Sequence, residues 1–159
     1  MRAVPDLVLT HGYFLWEDAK EREVMAPYPP LGLLYLSGYL KREGFEVEVF
    51  DTTWSDREQL TARLAAGPPS VLGIYSNLIT RATVVWISEL AHQYGWTVVV
   101  GGPESANYPE QYLAHGADVV VIGEGELTMA DLLVALRTAP PSALHDVDGI
   151  VFRLSLIHI

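Results

Sequence analysis

The residues best suited to chemistry in this sequence are small and polar ones that follow apolar runs. The clearest case is the valine run at residues 98–100, which ends in Gly101, Gly102 and Pro103. Adjacent glycines leave the backbone bare, so a large molecule can lie directly against it. In open α/β sheets, ligands bind just beyond the carboxyl ends of strands. The pattern therefore predicts a ligand-binding turn after this strand.

Three further loops are predicted to meet this turn at one edge of a sheet. The four loops span residues 11–32, 76–80, 101–107 and 123–128. They carry small residues, hydroxyls, amides and aromatic rings with few cations, which favours a large, mostly neutral, amide-bearing ligand over a polyphosphate. Any one loop by itself is better explained as a tight βα turn. The four together favour a ligand site.

Several common motifs are absent. No P-loop and no Gly-x-Ser-x-Gly turn occurs, and residues 123–128 lack the third glycine of a dinucleotide fingerprint. The five histidines show no metal-ligand spacing, and the absence of cysteine excludes a disulfide or an iron–sulfur cluster in this sequence. A net charge of -10 argues against a nucleic-acid surface. No apolar run is long enough for a membrane span, so a cytoplasmic location is expected.

Three carboxylates need an interpretation. Glu124 and Glu126 suit paired-carboxylate catalysis, but they also sit at a predicted helix start, where carboxylates favour the dipole and cap free N–H groups. Capping is the favoured interpretation. Asp51 follows a predicted strand, where it either holds a ribose or caps a turn, and the turn cap is favoured.

Apolar runs and helical patterns alternate along the chain, which predicts a parallel sheet covered on both faces. The fold class is therefore α/β, a Rossmann-like (flavodoxin-like) three-layer α/β/α arrangement with a mainly parallel five-stranded sheet and a short extra strand near residues 149–153. Predicted strands span residues 4–10, 47–50, 71–75, 97–100 and 119–122. Predicted helices span residues 31–44, 56–66, 80–95, 108–115 and 126–137, and the third of them carries Thr83, Ile87, Leu90 and Tyr94 on one face.

The chain is expected to hold one domain, residues 1–153. Residues 154–159 match a translated sequencing adaptor and are excluded from fold reasoning. On this interpretation the chain is an N-terminal fragment of a longer protein.

Several ordered segments resemble the cobalamin-binding domain of class B radical SAM enzymes. They are the Pro-Pro-Leu-Gly-Leu run at residues 29–33, the Leu-Ser-Gly-Tyr-Leu run at 36–40, the Val-Gly-Gly-Pro run at 100–103 and residues 118–126. The resemblance implies a Rossmann-like domain that binds cobalamin without catalysing. It also implies a downstream domain with a 4Fe–4S cluster and S-adenosylmethionine, and a parent enzyme that performs methyl transfer or cyclisation.

The resemblance also implies contact residues for the cofactor. Cobalamin-binding domains more widely carry Asp-x-His-x-x-Gly, then Ser-x-Leu, then Gly-Gly. The first motif is absent, because Leu9 and Phe14 stand where a motif aligned on His11 would need Asp and Gly. Cobalt is therefore expected to lack a protein histidine, and no metal ligand is assigned. The implied cofactor-binding residues are Pro30, Gly32, Ser76, Asn77, Leu78, Gly101, Gly102, Pro103, Gly123, Glu124 and Gly125.

Two alternatives remain open. The same fold occurs as a cobalamin-free structural or substrate-recognition module, and the missing first motif leaves room for this. Residues 32–51 also resemble the opening helix and strand of sugar-nucleotide transferases, although those usually place a glycine-rich turn directly after the first strand.

Overall fold

The structure, a computed structural model, describes residues 4–138 and 141–153. Its strands are β1 (Leu7–His11), β2 (Val47–Phe50), β3 (Val71–Tyr75), β4 (Thr97–Gly101), β5 (Val119–Val121) and β6 (Ile150–Phe152). They form one sheet in the order β2-β1-β3-β4-β5-β6. The first five are parallel, and β6 runs antiparallel to β5. The order of the parallel strands is that of flavodoxin-like folds, as predicted.

Helices cover both faces of this sheet. They are α1 (Ala19–Val24), α2 (Leu31–Arg42), α3 (Arg57–Ala65), α4 (Arg81–Gln93), α5 (Pro103–Asn107), α6 (Pro109–Ala114) and α7 (Gly125–Thr138). Short 3-10 segments span Leu15–Glu17, Thr52–Trp54 and Pro141–Asp146. The predicted three-layer α/β/α fold is confirmed. The adaptor-like residues 154–159 lie outside the described part of the chain.

Two apolar cores lie on opposite sides of the sheet, because successive side chains of a strand point to opposite faces. On one face, Leu72, Val98 and Val100 pack against α3, α4 and α6. On the other face, Leu9, Val99 and neighbouring residues pack against α2 and α7. Strands buried on both sides read as continuous apolar runs, which is why β3, β4 and β5 were recognisable in the sequence.

Strand β2 is an edge strand, as its alternation of valine and glutamate predicts. Among the strands of the described residues it pairs only with β1, and three of its four residues are half-buried. Glu48 extends from it and accepts two hydrogen bonds from Arg63 of α3, at 2.8 Å each. This bidentate ion pair holds α3 against the edge strand of the sheet.

The face of α4 named from the sequence only partly matches the buried side of the helix. The helix buries Val84, Ile87, Ser88 and Ala91, of which Ile87 belongs to that face. Leu90 of the same face is partly buried against the core. The small side chains Ser88 and Ala91 let the helix approach the sheet closely. Tyr94 lies beyond the last turn and is 41% exposed.

Residues 101–107 were expected to be a loop, and this is also wrong. Helix α5 occupies Pro103–Asn107, with Pro103 in its first turn, where a missing N–H group costs nothing. The predicted helix over residues 108–115 begins at Pro109 as α6, which ends at Ala114. Because β4 ends at Gly101 and α5 begins at Pro103, the turn between them is the single residue Gly102.

Candidate functional site

The carboxyl ends of β1, β3, β4 and β5 meet at one edge of the sheet, as predicted, and two adjoining cavities open there. The inner cavity has a volume of about 240 Å³ and lies between the sheet and helices α2 and α7. The outer cavity has a volume of about 500 Å³ and lies under the long connection from β1 to α2. Gly32, Leu33 and Tyr75 line both cavities.

The floor of the inner cavity is apolar and comes from four strands. Each strand contributes one residue on the same face of the sheet: Leu9, Gly73, Val99 and Val121. Leu36 of α2 and Met129 of α7 line the sides. A slot with this lining suits a flat or bulky apolar group that reaches in from the edge.

The rim of the inner cavity consists largely of glycines that sequence reasoning selected. A β-carbon built on Gly32, Gly123 or Gly125 would meet no atom within 4 Å. These three positions therefore face open space, and a side chain on any of them would occupy room that a ligand would otherwise use. Gly101 and Glu124, also selected from the sequence, lie on the same rim.

Gly102 also lines the inner cavity, but here the backbone conformation and a close contact require a glycine. Its φ of 107° and ψ of 169° belong to a region that only glycine adopts readily. A β-carbon there would lie 2.4 Å from the carbonyl oxygen of Ser76. The Ser76 N–H group donates to the carbonyl of Gly101 at 2.8 Å. Gly102 thus allows the turn after β4 to cross tightly over the end of β3.

The Ser76 hydroxyl faces away from both cavities. It shares a 2.7 Å hydrogen bond with the hydroxyl of Tyr112, and Ser76 is fully buried. Burial raises the pKa of Tyr112, and the hydrogen bond with Ser76 opposes this increase. Ser76 and Tyr112 therefore join the end of β3 to α6 beneath the Gly101–Gly102 turn.

The other predicted contact residues lie around the outer cavity or outside both. Asn77 lines the outer cavity, and its side-chain oxygen accepts a hydrogen bond from the Thr80 N–H group at 3.0 Å. Pro30 lines the outer cavity as well. Leu78, which is 75% exposed, and the exposed Pro103 line neither cavity.

The predicted capping role of Glu124 and Glu126 is only partly seen. Glu126 lies in the first turn of α7 and Glu124 directly before it, where a carboxylate favours the helix dipole. Within the described residues, neither side chain accepts a hydrogen bond. Both line the inner cavity instead and give its mouth negative charge.

Sequence reasoning missed a buried network around His11, which borders the outer cavity. The ring accepts a hydrogen bond from the Tyr13 N–H group at Nδ1, at 3.2 Å. Nε2 therefore carries the hydrogen and donates to Oδ1 of Asp51 at 2.8 Å. Asp51 also accepts from the Thr53 N–H group at 2.9 Å, so its predicted role as a turn cap is confirmed. Both ring nitrogens of His11 are thus engaged.

Tyr75 was also missed, although the sequence contains a signal for it. Side chains alternate along a strand, so Tyr75 shares a face with Gly73 and points toward the helices α2 and α7. It is 36% exposed and stands between the two cavities. The adjacent Ser76 must then point to the opposite face, where it meets Tyr112.

Replacing Asp51 by asparagine is expected to destabilise the fold at neutral pH and to matter less in acid. Burial by itself would raise the pKa of Asp51, but hydrogen bonds from Thr53 and His11 hold it below its ordinary value of 3.8. Such a carboxylate stabilises the folded state above its unfolded pKa, and this contribution is lost as the pH falls through the folded pKa. Urea unfolding of both proteins should show a difference near pH 7 that shrinks below about pH 4. A difference independent of pH would contradict this account.

Comparisons with known proteins bear on the same part of the chain. A family model described as the B12 binding domain matches residues 22–133. The chain is 32% identical over 129 residues to an uncharacterized methyltransferase, PH0819, of Pyrococcus horikoshii, covering 76% of this chain and 27% of that protein. It is 30% identical over 136 residues to the anaerobic magnesium-protoporphyrin IX monomethyl ester cyclase of Synechocystis, covering 79% of this chain and 26% of that protein.

The chain therefore spans about a quarter of the length of these curated relatives. Among solved structures, it is similar to the N-terminal domain of the hypothetical protein TM0182 of Thermotoga maritima. The TM-score is 0.48 and the identity 22%, over 68% of this chain and 83% of that one. Within residues 4–138 and 141–153, no helix has the length and apolarity needed to cross a bilayer.

Proposed function

Because this chain belongs to the family of B12-binding domains, we propose that it binds cobalamin along the carboxyl edge of its sheet. The observation that carries the proposal is the inner cavity between α2 and α7. It combines an apolar floor from four strands with a rim of glycines that face open space. Cobalamin is a large ligand with many neutral amide groups and one heterocyclic tail, and this shape and chemistry fit such a slot.

The residues of the inner cavity divide into two roles in this proposal. Leu36 and Met129 would hold the apolar part of the ligand against the sheet. Gly32, Gly123 and Gly125 would allow its amide-bearing parts to lie close to the backbone. Glu124 and Glu126 would repel the diphosphate of a sugar nucleotide at this mouth, which counts against that alternative, and the single phosphodiester of cobalamin would have to lie away from them.

Cobalamin, when bound, supplies a cobalt ion that carries a methyl group or changes oxidation state. Among the histidines that the structure describes, His11 borders the outer cavity, and both of its ring nitrogens are already hydrogen-bonded. A histidine that donates to Asp51 and accepts from the Tyr13 N–H group has no lone pair left for a metal. This supports the expectation that the protein supplies no histidine to cobalt.

The proposal extends to the parent protein. The chain would be the cofactor-binding part of a B12-dependent radical SAM enzyme, which performs methyl transfer or ring closure on a substrate not yet identified. The 4Fe–4S cluster and S-adenosylmethionine would belong to a domain downstream. The names of the relatives, a methyltransferase and a cyclase, support this assignment. Reading the source DNA past the codon for Arg153 tests it, since a Cys-x-x-x-Cys-x-x-Cys run is expected there and an immediate stop codon would contradict it.

An absorbance titration with hydroxocobalamin tests the binding proposal itself. The purified chain is expected to change the visible spectrum of cobalamin and to retain it through desalting. Circular dichroism before and after confirms that the fold is intact. A folded chain that retains no cobalamin would overturn the proposal and select the cobalamin-free module. Binding of a uridine diphosphate sugar instead would select the transferase alternative.

A further inference from the structure

Helix α2 is apolar on the side that points away from the sheet. Its buried residues are Leu33, Ser37 and Leu40. The opposite side, called here the outward face of α2, consists of four exposed residues: Leu31, Leu34, Tyr35 and Gly38. Residues three and four apart on a helix are neighbours, so these positions form one continuous stripe. Tyr35 is 72% exposed and Leu34 is 46% exposed.

The outward face of α2 lacks the charged residues that a surface helix normally carries. No Asp, Glu, Lys or Arg occurs between residues 31 and 40, although the chain has a net charge of -10. A helix that is apolar on all sides is normally buried on all sides. The outward face of α2 therefore has the composition of an interface rather than of a surface that faces water.

The neighbouring helices show the normal pattern. Helices α3 and α4 pack on the other side of the sheet, and their exposed residues include five polar ones: Glu58, Gln59, Glu89, His92 and Gln93. Helix α7 lies beside α2 and exposes Asp131 and Arg137 as well as Leu127. Of these four helices, α2 alone has an outward face without charge.

Most of the outward face of α2 lies outside the proposed cobalamin site. Leu34, Tyr35 and Gly38 line neither cavity, whereas Leu31 borders the outer one. A β-carbon on Gly38 would meet no atom within 4 Å, so an incoming side chain has room to lie against the backbone there. A ligand held in the two cavities would leave these three residues exposed.

The charge of the chain decides between possible partners. Two copies would each carry a net charge of -10 and repel one another. An anionic bilayer attracts basic segments, and the basic residues of α2, Lys41 and Arg42, are confined to its last turn. The chain spans about a quarter of the length of its relatives PH0819 and the Synechocystis cyclase. A longer protein would therefore supply the partner from its own chain.

The last strand ends on the same side of the sheet as α2. Phe152 of β6 packs against the core that contains Leu33 and Leu40 of α2. In the strand order, β6 lies four positions from β1, against which α2 packs. At about 4.8 Å for each position, this separation is about 19 Å. About six extended residues after Arg153 would span it.

We propose that the outward face of α2 is a docking surface for the part of the parent chain that follows Arg153, beginning no earlier than about six residues beyond it. Apolar side chains of that part would cover Leu34 and Tyr35, and one would lie against the backbone at Gly38. The inference rests on the proposed function in one respect, namely that this chain is the first domain of a longer protein. It adds the surface by which the two parts are held together.

Thiol labelling tests the proposal, because the present chain contains no cysteine. Leu34→Cys and Tyr35→Cys are introduced singly into the present chain and into the parent protein, and modification by N-ethylmaleimide at each site is measured by peptide mass spectrometry. In the present chain, both sites are expected to react at rates similar to that of the control Glu58→Cys, at an exposed position of α3. In the parent protein, both are expected to react at least about tenfold more slowly, because a docked thiol reacts only when the contact opens. The control should react equally fast in the two proteins.

Equal labelling rates at positions 34 and 35 in the two proteins would overturn the inference, as would a stop codon directly after Arg153. Sedimentation velocity tests for a second copy instead: the present chain is expected to be a monomer, and a dimer that Tyr35→Lys dissociates would overturn the inference. Circular dichroism checks that each variant is folded. No cobalamin is present in these measurements, so their outcome is separable from that of the cobalamin titration. A parent sequence without the Cys-x-x-x-Cys-x-x-Cys run would contradict the radical SAM assignment and leave this test unchanged.

Discussion

Gly32→Leu is expected to reduce cobalamin affinity by about 100-fold while leaving the protein folded. A β-carbon at position 32 meets no atom within 4 Å, and the position lines both cavities. A leucine there would cover roughly 100 Å² of apolar wall, worth about 2.5 kcal/mol of ligand burial. The helix itself should gain up to about 1 kcal/mol, because glycine is a poor helix former.

Gly38→Leu is the matched control for this variant. Gly38 lies in the same helix, is exposed, and also faces open space, but it borders neither cavity. Its substitution should leave the dissociation constant for hydroxocobalamin unchanged within about threefold. Thermal unfolding of both variants checks that each is folded. If Gly32→Leu binds cobalamin as tightly as Gly38→Leu, the ligand does not use the inner cavity.

Gly102→Ala is expected to destabilise the fold by at least about 3 kcal/mol. The backbone at this position has φ of 107°, where a β-carbon is strained regardless of space. The new carbon would also lie 2.4 Å from the Ser76 carbonyl oxygen, a backbone atom that cannot move without separating β3 from β4. Urea unfolding at neutral pH measures the loss as a lower transition midpoint.

Gly101→Ala provides the control one residue earlier. A β-carbon there would meet the Val121 side chain at 3.8 Å, which is ordinary contact, and Gly101 has no positive φ. Its substitution is expected to change the free energy of unfolding by no more than about 1 kcal/mol. Comparable losses in both variants would contradict the conclusion that the crossing over Ser76 specifically requires Gly102.

The fold could be predicted from the sequence because the residues of each strand indicate where that strand lies in the sheet. The valine runs of β4 and β5 mark strands buried on both faces, and the glutamates of β2 mark an edge. The buried side of α4 was predicted only in part because its apolar residues surround most of the helix. That side combines Val84 and Ile87 with the small residues Ser88 and Ala91, which an apolar pattern does not select.

The site was predicted only in part. Glycines in turns can be identified in a sequence, whereas the directions in which side chains point are harder to predict. Gly32, Gly123 and Gly125 do line a cavity. Ser76 was selected by motif, although its hydroxyl points to Tyr112, 36 residues away. The pairing of His11 with Asp51 spans 40 residues and depends on β1 and β2 being neighbours. Such contacts depend on which side chains of neighbouring strands meet, and a single sequence does not show this.

The direction of β6 sets a geometric condition on any domain that follows this one. Phe152 pairs with Val119, the first residue of β5, so the chain reaches Arg153 at the amino edge of the sheet, opposite both cavities. The longest strands have five residues, so a tether returning to the carboxyl edge must travel about 17 Å, or at least about five extended residues. A domain that covers the cavities would therefore have to be joined by a connecting segment that runs along the side of the sheet.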